Sequence, residues 1–271
     1  MTSGRKPEGD GLKLDTSVPH IARVYDYWLG GKDNFAADRA VAEQVIATFP
    51  DVLVIARAQR AFLGRVVYYL AAEAGIRQFL DIGTGLPAAN NTHEVAQQVT
   101  PSARVVYVDN DPIVLVHARA LLASGPEGET AYIDADVRDT DTIRTEAAKL
   151  LDFSQPVAVM LLGVLHCIPD EDDPGGIAAR LLDLVSPGSY LAIVHPASDV
   201  ARDKMEQAMG DYNEHAELAL RARSHAEISR FFHGLDMVEP GLVQIHRWRP
   251  GPDDVSQGRD LAAYGGLGHK P

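Results

Sequence analysis

The sequence predicts an α/β protein built on a doubly wound, mostly parallel sheet. Three observations carry that expectation. From Arg77 onward, short apolar runs alternate with helical stretches, the pattern that lays helices on both faces of a sheet. A glycine-rich turn, Gly83-Thr84-Gly85, follows directly on the first of those runs. The chain has 271 residues, 46% of them hydrophobic, enough for a sizeable core.

Residues 1–14 mix Gly, Pro, Lys and Asp with little to bury and are expected to form a mobile tail. The rest, 15–271, is expected to be a single domain, with 17–75 as an N-terminal helical lid. Ser17 reads as an N-cap. After it Ile21, Val24, Tyr25, Trp28 and Leu29 fall at helical spacing, and Gly30-Gly31 ends that helix. A second helix is expected over about 35–49, through Val41, Val45 and Phe49. A third carries Phe62, Leu63, Val66, Val67 and Leu70 before Gly75. Strands are expected at 78–82, 105–108, 130–133, 157–162 and 190–194, with helices between them. Asp111 is placed to cap one of these helices with Pro112 at its first position, and Ser224 and Glu227 have capping-box spacing ahead of a last helix closed by Gly234. Segments around 242–245 and 261–267, on either side of a Pro-rich turn at 250–252, fit a closing hairpin.

Thirty-eight acidic against 25 basic residues leave a net charge of −13, which repels phosphate backbones and favours a small-molecule partner over nucleic acid. The single cysteine, Cys167, excludes an intramolecular disulfide and a cysteine zinc cluster, and it fits a cytoplasmic location. No apolar run approaches the roughly 20 residues that span a bilayer, and no apolar signal core opens the chain. Membrane insertion and secretion are therefore not expected. His215 and His225 are not at ligand spacing, and His166 and His195 lack a nearby third ligand, so no metal site is expected.

The chemistry concentrates at the ends of the expected strands. Asp81 ends the first, where a buried carboxylate needs a partner such as a ligand's amino group. Gly83 and Gly85 let backbone approach a ligand closely. With Ala88 they also satisfy the dinucleotide pattern G-x-G-x-x-A, which keeps an NAD-dependent oxidoreductase open as an alternative. Asp109 ends the second strand and can accept from both ribose hydroxyls, while excluding a 2′-phosphate. Asp111 reads as the helix cap. After the third strand, Asp136 can accept from an adenine amino group while Val137 covers the ring. Amino acid, ribose and base in that order suit S-adenosylmethionine better than NAD.

With these residues in place, the chain resembles class I S-adenosylmethionine-dependent methyltransferases. Within them it is most similar to the bacterial S-adenosyl methyltransferase family first catalogued as a domain of unknown function. The closer resemblance rests on 24–39 (VYDYWLGGKDNFAADR), on the Asp81 and Asp136 motifs, and on Phe231-Phe232-His233-Gly234-Leu235 leading to Glu239-Pro240-Gly241 and Arg247-Trp248-Arg249-Pro250. It implies a Rossmann-like, seven-stranded sheet of order 3-2-1-4-5-7-6 with an antiparallel last strand, and a cofactor lying over Gly83 and Gly85. The candidate cofactor contacts are then Tyr25, Gly31, Asn34, Asp38 and Arg60 from the helical segment, and Asp81, Gly83, Thr84 and Gly85 from the first turn. Asp109, Asn110, Asp136 and Val137 follow the next two strands, and Leu162 and Gly163 follow the fourth. Pro87 stands where the general pattern prefers glycine. Gln59 stands where the closer family favours Asn, and it is left outside the set.

Methyl transfer from a sulfonium needs an aligned nucleophile and a dry site more than it needs a base. His166, after the fourth strand, is the candidate base, with a buried, backbone-satisfied imidazole as the alternative reading; His195 carries the same ambiguity. Cys167 and Trp28 read as core. Gly30-Gly31, followed by Lys32-Asp33-Asn34, reads either as a hinge that lets Asn34 and Asp38 reach the cofactor, or as a helix stop with Asp33 capping the next helix. The expected activity is methyl transfer from S-adenosylmethionine to a small-molecule acceptor, yielding S-adenosylhomocysteine. A non-catalytic S-adenosylmethionine-binding sensor or interaction protein is the alternative.

Overall fold

The computed structural model describes residues 15–121, 127–251 and 258–271; the expected tail at 1–14 lies outside them, as does part of the 250–252 turn. The chain opens with helices α1 (Ile21–Trp28), α2 (Ala36–Thr48) and α3 (Val52–Ala72). Strands β1 (Gln78–Ile82), β2 (Arg104–Asp109), β3 (Glu129–Asp134), β4 (Ala158–Leu162) and β5 (Tyr190–Pro196) follow. They are linked by α4 (Thr92–Val99), α5 (Pro112–Leu121), α6 (Thr140–Ala147) and α7 (Pro174–Asp183). Then come α8 (Arg202–Asn213), α9 (His225–Ser229), β6 (Asp236–Met237), β7 (Val243–Gln244) and β8 (Ala263–His269).

The sheet order is β3-β2-β1-β4-β5-β8-β6, parallel from β3 through β5, with β8 antiparallel to β5. This is the expected Rossmann-like topology with one elaboration. The segment expected at 242–245 forms only the short β7, a further short strand, β6, lies outside it at 236–237, and both pair antiparallel with β8. Strand residues alternate between two cores, as a period of two requires. Phe79, Val105, Met160 and Ala192 face α3 and α4, while Leu80, Val106, Val159 and Leu191 face α6 and α7.

The expected lid separates into two structures. Helix α3 belongs to the central core: Phe62, Val66, Val67 and Leu70 are fully buried against the sheet and Trp248. Helices α1 and α2 instead join α8 in a third apolar cluster through Val24, Val45, Phe49, Met205 and Tyr212. They form a cap over the carboxyl ends of the strands. Ser17 is not the cap of α1. His20 is, its ring accepting from the Ala22 amide at 3.3 Å, because the helix begins only at Ile21. The other two expected caps are in place: Asp111 accepts from the Ile113 amide at 2.7 Å, and Ser224 and Glu227 close a capping box. Among the described residues no helix is long and apolar enough to cross a membrane.

Candidate functional site

Strand order reverses at β1, between β2 on one side and β4 on the other, and open α/β sheets bind ligands at the carboxyl end of such a point. A cavity of about 260 Å³ lies there. The turn after β1 forms its floor. Gly83 has φ +73°, and a Cβ on it would run into the Val164 side chain. Gly85 has φ +65° with no atom within 4 Å of where its Cβ would project, so the turn presents bare backbone to open space.

The carboxylates at the strand ends meet on one side of the cavity. Asp81 is buried and accepts from the Thr92 hydroxyl at 2.6 Å. Burial pushes its pKa up from 3.8 to about 6, against the Thr92 hydrogen bond and the positive charge of Arg60. Arg60, from α3, donates to the carbonyls of Ala89 and Asn90 at 2.8 and 3.0 Å, while its buried Nε has no partner. Asp109 accepts from the Gly85 amide at 2.8 Å and from the Asp111 amide at 2.9 Å, and it is pushed upward chiefly by burial. It therefore holds the glycine turn as well as facing the cavity. His20 Nδ1 lies 2.9 Å from Asp111, joining the start of α1 to the turn after β2.

Asp136 is already heavily engaged. Arg138 grips both of its oxygens at 2.8 and 2.6 Å, which holds its pKa down, and Asn110 donates to it at 3.3 Å. Arg138 also reaches Asp172 beyond β4 at 2.8 Å, so this guanidinium spans the slot between two loops. Its role was missed because an arginine two residues past an acidic loop has no sequence signature. Buried Val137, with Thr84, Leu162, Gly163 and Tyr25, completes the expected lining. The Tyr25 hydroxyl donates to the Ala56 carbonyl at 3.0 Å, tying α1 to α3. Gln59, left out of the expected set, also lines the cavity and donates to the Leu162 carbonyl at 2.8 Å. Its position one residue before Arg60 was the available signal.

Gly31, Asn34 and Asp38 do not line the cavity. They build the α1–α2 turn. Asn34 donates to Asp26 at 2.8 Å and to the Gly31 carbonyl at 3.1 Å, and a Cβ on Gly31 would collide with the Asp26 carboxylate. Asp38 is fully buried. It pairs with Arg23 at 3.0 Å and accepts from the His20 and Phe35 amides at 2.9 and 2.8 Å. Both its oxygens are bonded within the protein. Asp33 does not cap α2, since Asp38 caps it from within by accepting from Phe35.

His166 lines the cavity beyond Gly163. Its Nδ1 is buried without a partner, and burial together with the nearby Arg223 charge lowers its pKa to about 4, so the ring is neutral at neutral pH. His195 is separated from that role. Its Nε2 takes an N–H from Arg223 at 2.9 Å, which leaves Nδ1 to donate to the Pro196 carbonyl. Arg223 also donates to the carbonyls of Leu165 and Ile168 and to Asp170, fastening the loop that carries His166. Cys167 is a buried free thiol at the cavity wall, its pKa pushed up to about 12 by burial. Trp28 packs on the third cluster and also faces the cavity, donating to the Ala42 carbonyl at 3.3 Å.

Away from the carboxylates the lining becomes apolar. Val45, Phe49, Met205, Ala208, Tyr212 and Leu220, all from the third cluster, wall the far wing under the cap. The charged side chains of the lining, Arg60, Asp81, Asp109, Asp136 and Arg138, all belong to the opposite wing, at the strand ends. No group of three or more His, Cys, Asp or Glu side chains among the described residues is arranged to hold a metal ion.

Comparison with known proteins places this geometry in context. Residues 7–271 match a family model described as S-adenosyl methyltransferase. The chain is similar to the crystal structure of a DUF574 family protein from Streptomyces avermitilis, with 45% identity, a TM-score of 0.92, and coverage of 95% of this chain and 99% of that one. It is also similar to a candidate methyltransferase from Thermobifida fusca, with 43% identity, a TM-score of 0.87, and coverage of 94% and 96%. An O-methyltransferase family 2 protein from Planctomyces limnophilus, at 18% identity and a TM-score of 0.50 over 87% of this chain and 66% of that one, shares the fold. A search of curated proteins returned no match.

Proposed function

Because the chain belongs to the S-adenosyl methyltransferase family, we propose that it binds S-adenosylmethionine at the turn after β1 and transfers the methyl group to a small-molecule acceptor. The observation that carries this is the convergence of Asp81 and Asp109, at the carboxyl ends of β1 and β2, and Asp136, just after β3, on one cavity floored by Gly83 and Gly85. Family membership favours this reading over the dinucleotide alternative.

The residues fit the cofactor on two independent grounds. Gly85 leaves its Cβ direction empty, and the buried Nε of Arg60 lacks an acceptor beside Asp81, which lacks a full cationic partner. An amino acid moiety supplies both: its ammonium to Asp81 and its carboxylate to Arg60. Asp109 accepts from the ribose hydroxyls while still holding the Gly85 amide. Asn110 and the remaining lone pairs of Asp136 take the adenine amino group, with Val137 against the ring. Leu162 and Gly163 flank the reacting end, and Tyr25 closes over it from the cap. Gly31, Asn34 and Asp38 act at a distance by shaping the α1–α2 turn. S-adenosylmethionine, when bound, supplies a methyl group activated by its sulfonium; the protein aligns the acceptor, excludes water and receives a proton at His166.

Calorimetry with S-adenosylhomocysteine and NAD tests the binding reading. S-adenosylhomocysteine is expected to bind and NAD not to bind comparably; equal or tighter NAD binding would sink it. A methyl-labelled donor assay over a panel of acceptors then separates an enzyme from a non-catalytic sensor.

A further inference from the structure

The apolar wing of the cavity lies beyond the reacting end of the proposed cofactor, so what it can hold bears on the acceptor. Its walls come from α1, α2, α3 and α8, through Trp28, Val45, Phe49, Ile55, Ala208 and Met209. None of the charged residues that line the cavity lies in this wing. A cationic or anionic acceptor entering it would lose its hydration and meet no unpaired opposite charge, since Asp38 and Arg23 behind Tyr212 neutralise each other, a heavy cost in a low-dielectric site. An apolar body loses nothing comparable and gains from leaving water. The imidazole at the junction of the two wings is His166, whose side chain has no hydrogen-bond partner among the described residues; its Nδ1 is buried, which leaves Nε2 as the nitrogen to meet an acceptor.

Resting on the methyltransferase reading above, we propose that the apolar wing is the acceptor site and that the acceptor is an uncharged, mainly apolar small molecule that presents one hydroxyl group to His166. An amine nucleophile is disfavoured because its protonated form would be stranded there without a carboxylate. A lone pair on the hydroxyl oxygen forms the new bond to the methyl carbon. The carbon–sulfur bond breaks with its electron pair passing to sulfur, which leaves a neutral thioether. The hydroxyl proton goes to Nε2 of His166 and from there to solvent. A ring with a low pKa suffices, because the O–H group becomes far more acidic as the carbon–oxygen bond forms. His166 therefore works as a neutral acceptor that orients the hydroxyl and takes its proton late.

Three phenols built on the same two-carbon para substituent separate the possibilities: 4-ethylphenol, tyramine and 4-hydroxyphenylacetate, which are respectively neutral, cationic and anionic at pH 7.5. Binding of each is measured by calorimetry on full-length protein saturated with S-adenosylhomocysteine. The neutral phenol is expected to bind at least tenfold more tightly than either charged one. Ala208→Phe, which fills the wing, should weaken 4-ethylphenol at least tenfold while S-adenosylhomocysteine affinity stays within twofold. Met209→Lys, at a half-buried position that tolerates a long side chain, should do the same if Ala208→Phe proves unstable. Charged phenols that bind as well as the neutral one, or variants that leave 4-ethylphenol affinity unchanged, overturn the acceptor assignment while the cofactor reading stands. Failure of S-adenosylhomocysteine itself to bind overturns both.

Discussion

Asp81 is where burial and ligand chemistry meet most directly. Its carboxyl is raised from 3.8 to about 6 by burial, so the folded protein binds that proton more tightly than the unfolded chain does. The sign of the linkage follows: the stability from this group is fully present below its unfolded pKa and is lost as pH rises through about 6. At pH 8, Asp81→Asn is expected to stabilise the ligand-free protein by about 1–3 kcal/mol, from a shift of roughly two units at 1.36 kcal/mol each. The same substitution is expected to weaken S-adenosylhomocysteine more than tenfold. Thermal melts and calorimetry check the pair of effects. In the parent protein, affinity for S-adenosylhomocysteine is expected to be flat above about pH 7 and to fall by up to tenfold per unit below about pH 6, since only the carboxylate accepts the ligand's ammonium. Asp109→Ala has a different signature. It removes the ribose acceptor, costing about 2–4 kcal/mol of binding, and it also strands the Gly85 and Asp111 amides, so stability falls too. That second loss, read in the melting temperature, distinguishes Asp109 from a residue that only touches ligand.

Between the elements, the α1–α2 turn depends on a buried ion pair. Asp38 and Arg23 are both buried, and Arg23 also donates to the Val18 carbonyl at 2.6 Å. Removing one partner leaves the other charge uncompensated, so Asp38→Ala is expected to cost about 3–5 kcal/mol of stability. A sharply lowered melting temperature checks this, and an unchanged one would show that the Asp38–Arg23 pair does not hold the turn. Asn34→Ala loosens the grip on Asp26 instead and is expected to change cofactor affinity only through the turn. The GG-K-D-N stretch was legible as a turn between helices because two glycines cannot continue one. Its target was not legible, since a polar residue beside a turn faces ligand or protein according to how the helices pack.

At the scale of the molecule, the cap and the core are expected to respond differently to ligand. Helix α3 is locked into the central core by fully buried Phe62, Val66, Val67 and Leu70. Helix α1 reaches the turn after β2 through His20 and is tied to α3 through Tyr25, and α1 and α2 meet α8 across the apolar wing. If the cap closes on the cofactor, S-adenosylhomocysteine should slow amide exchange in α1, α2 and α8 and leave α3 unchanged. Equal protection of all four helices, or none, measured by exchange mass spectrometry, speaks against a separate closing unit.

The sequence by itself determined the alternation of elements and the chemistry at the strand ends. Burial on both faces forces continuous apolar runs, so 78–82 and 105–108 announce themselves, and the carboxylates that end them stand out against that background. Local capping chemistry at Asp111 and Ser224 was likewise readable, because it depends on neighbours a few residues away. Only the tertiary structure decided which charges are spent on the protein itself. Arg138 on Asp136, Arg23 on Asp38, and Arg223 on the His166 loop join residues whose separations follow no periodic rule. The same holds for the apolar wing: Val45, Ala208 and Leu220 lie on separate segments, and the space between them exists only once α2 and α8 are packed together.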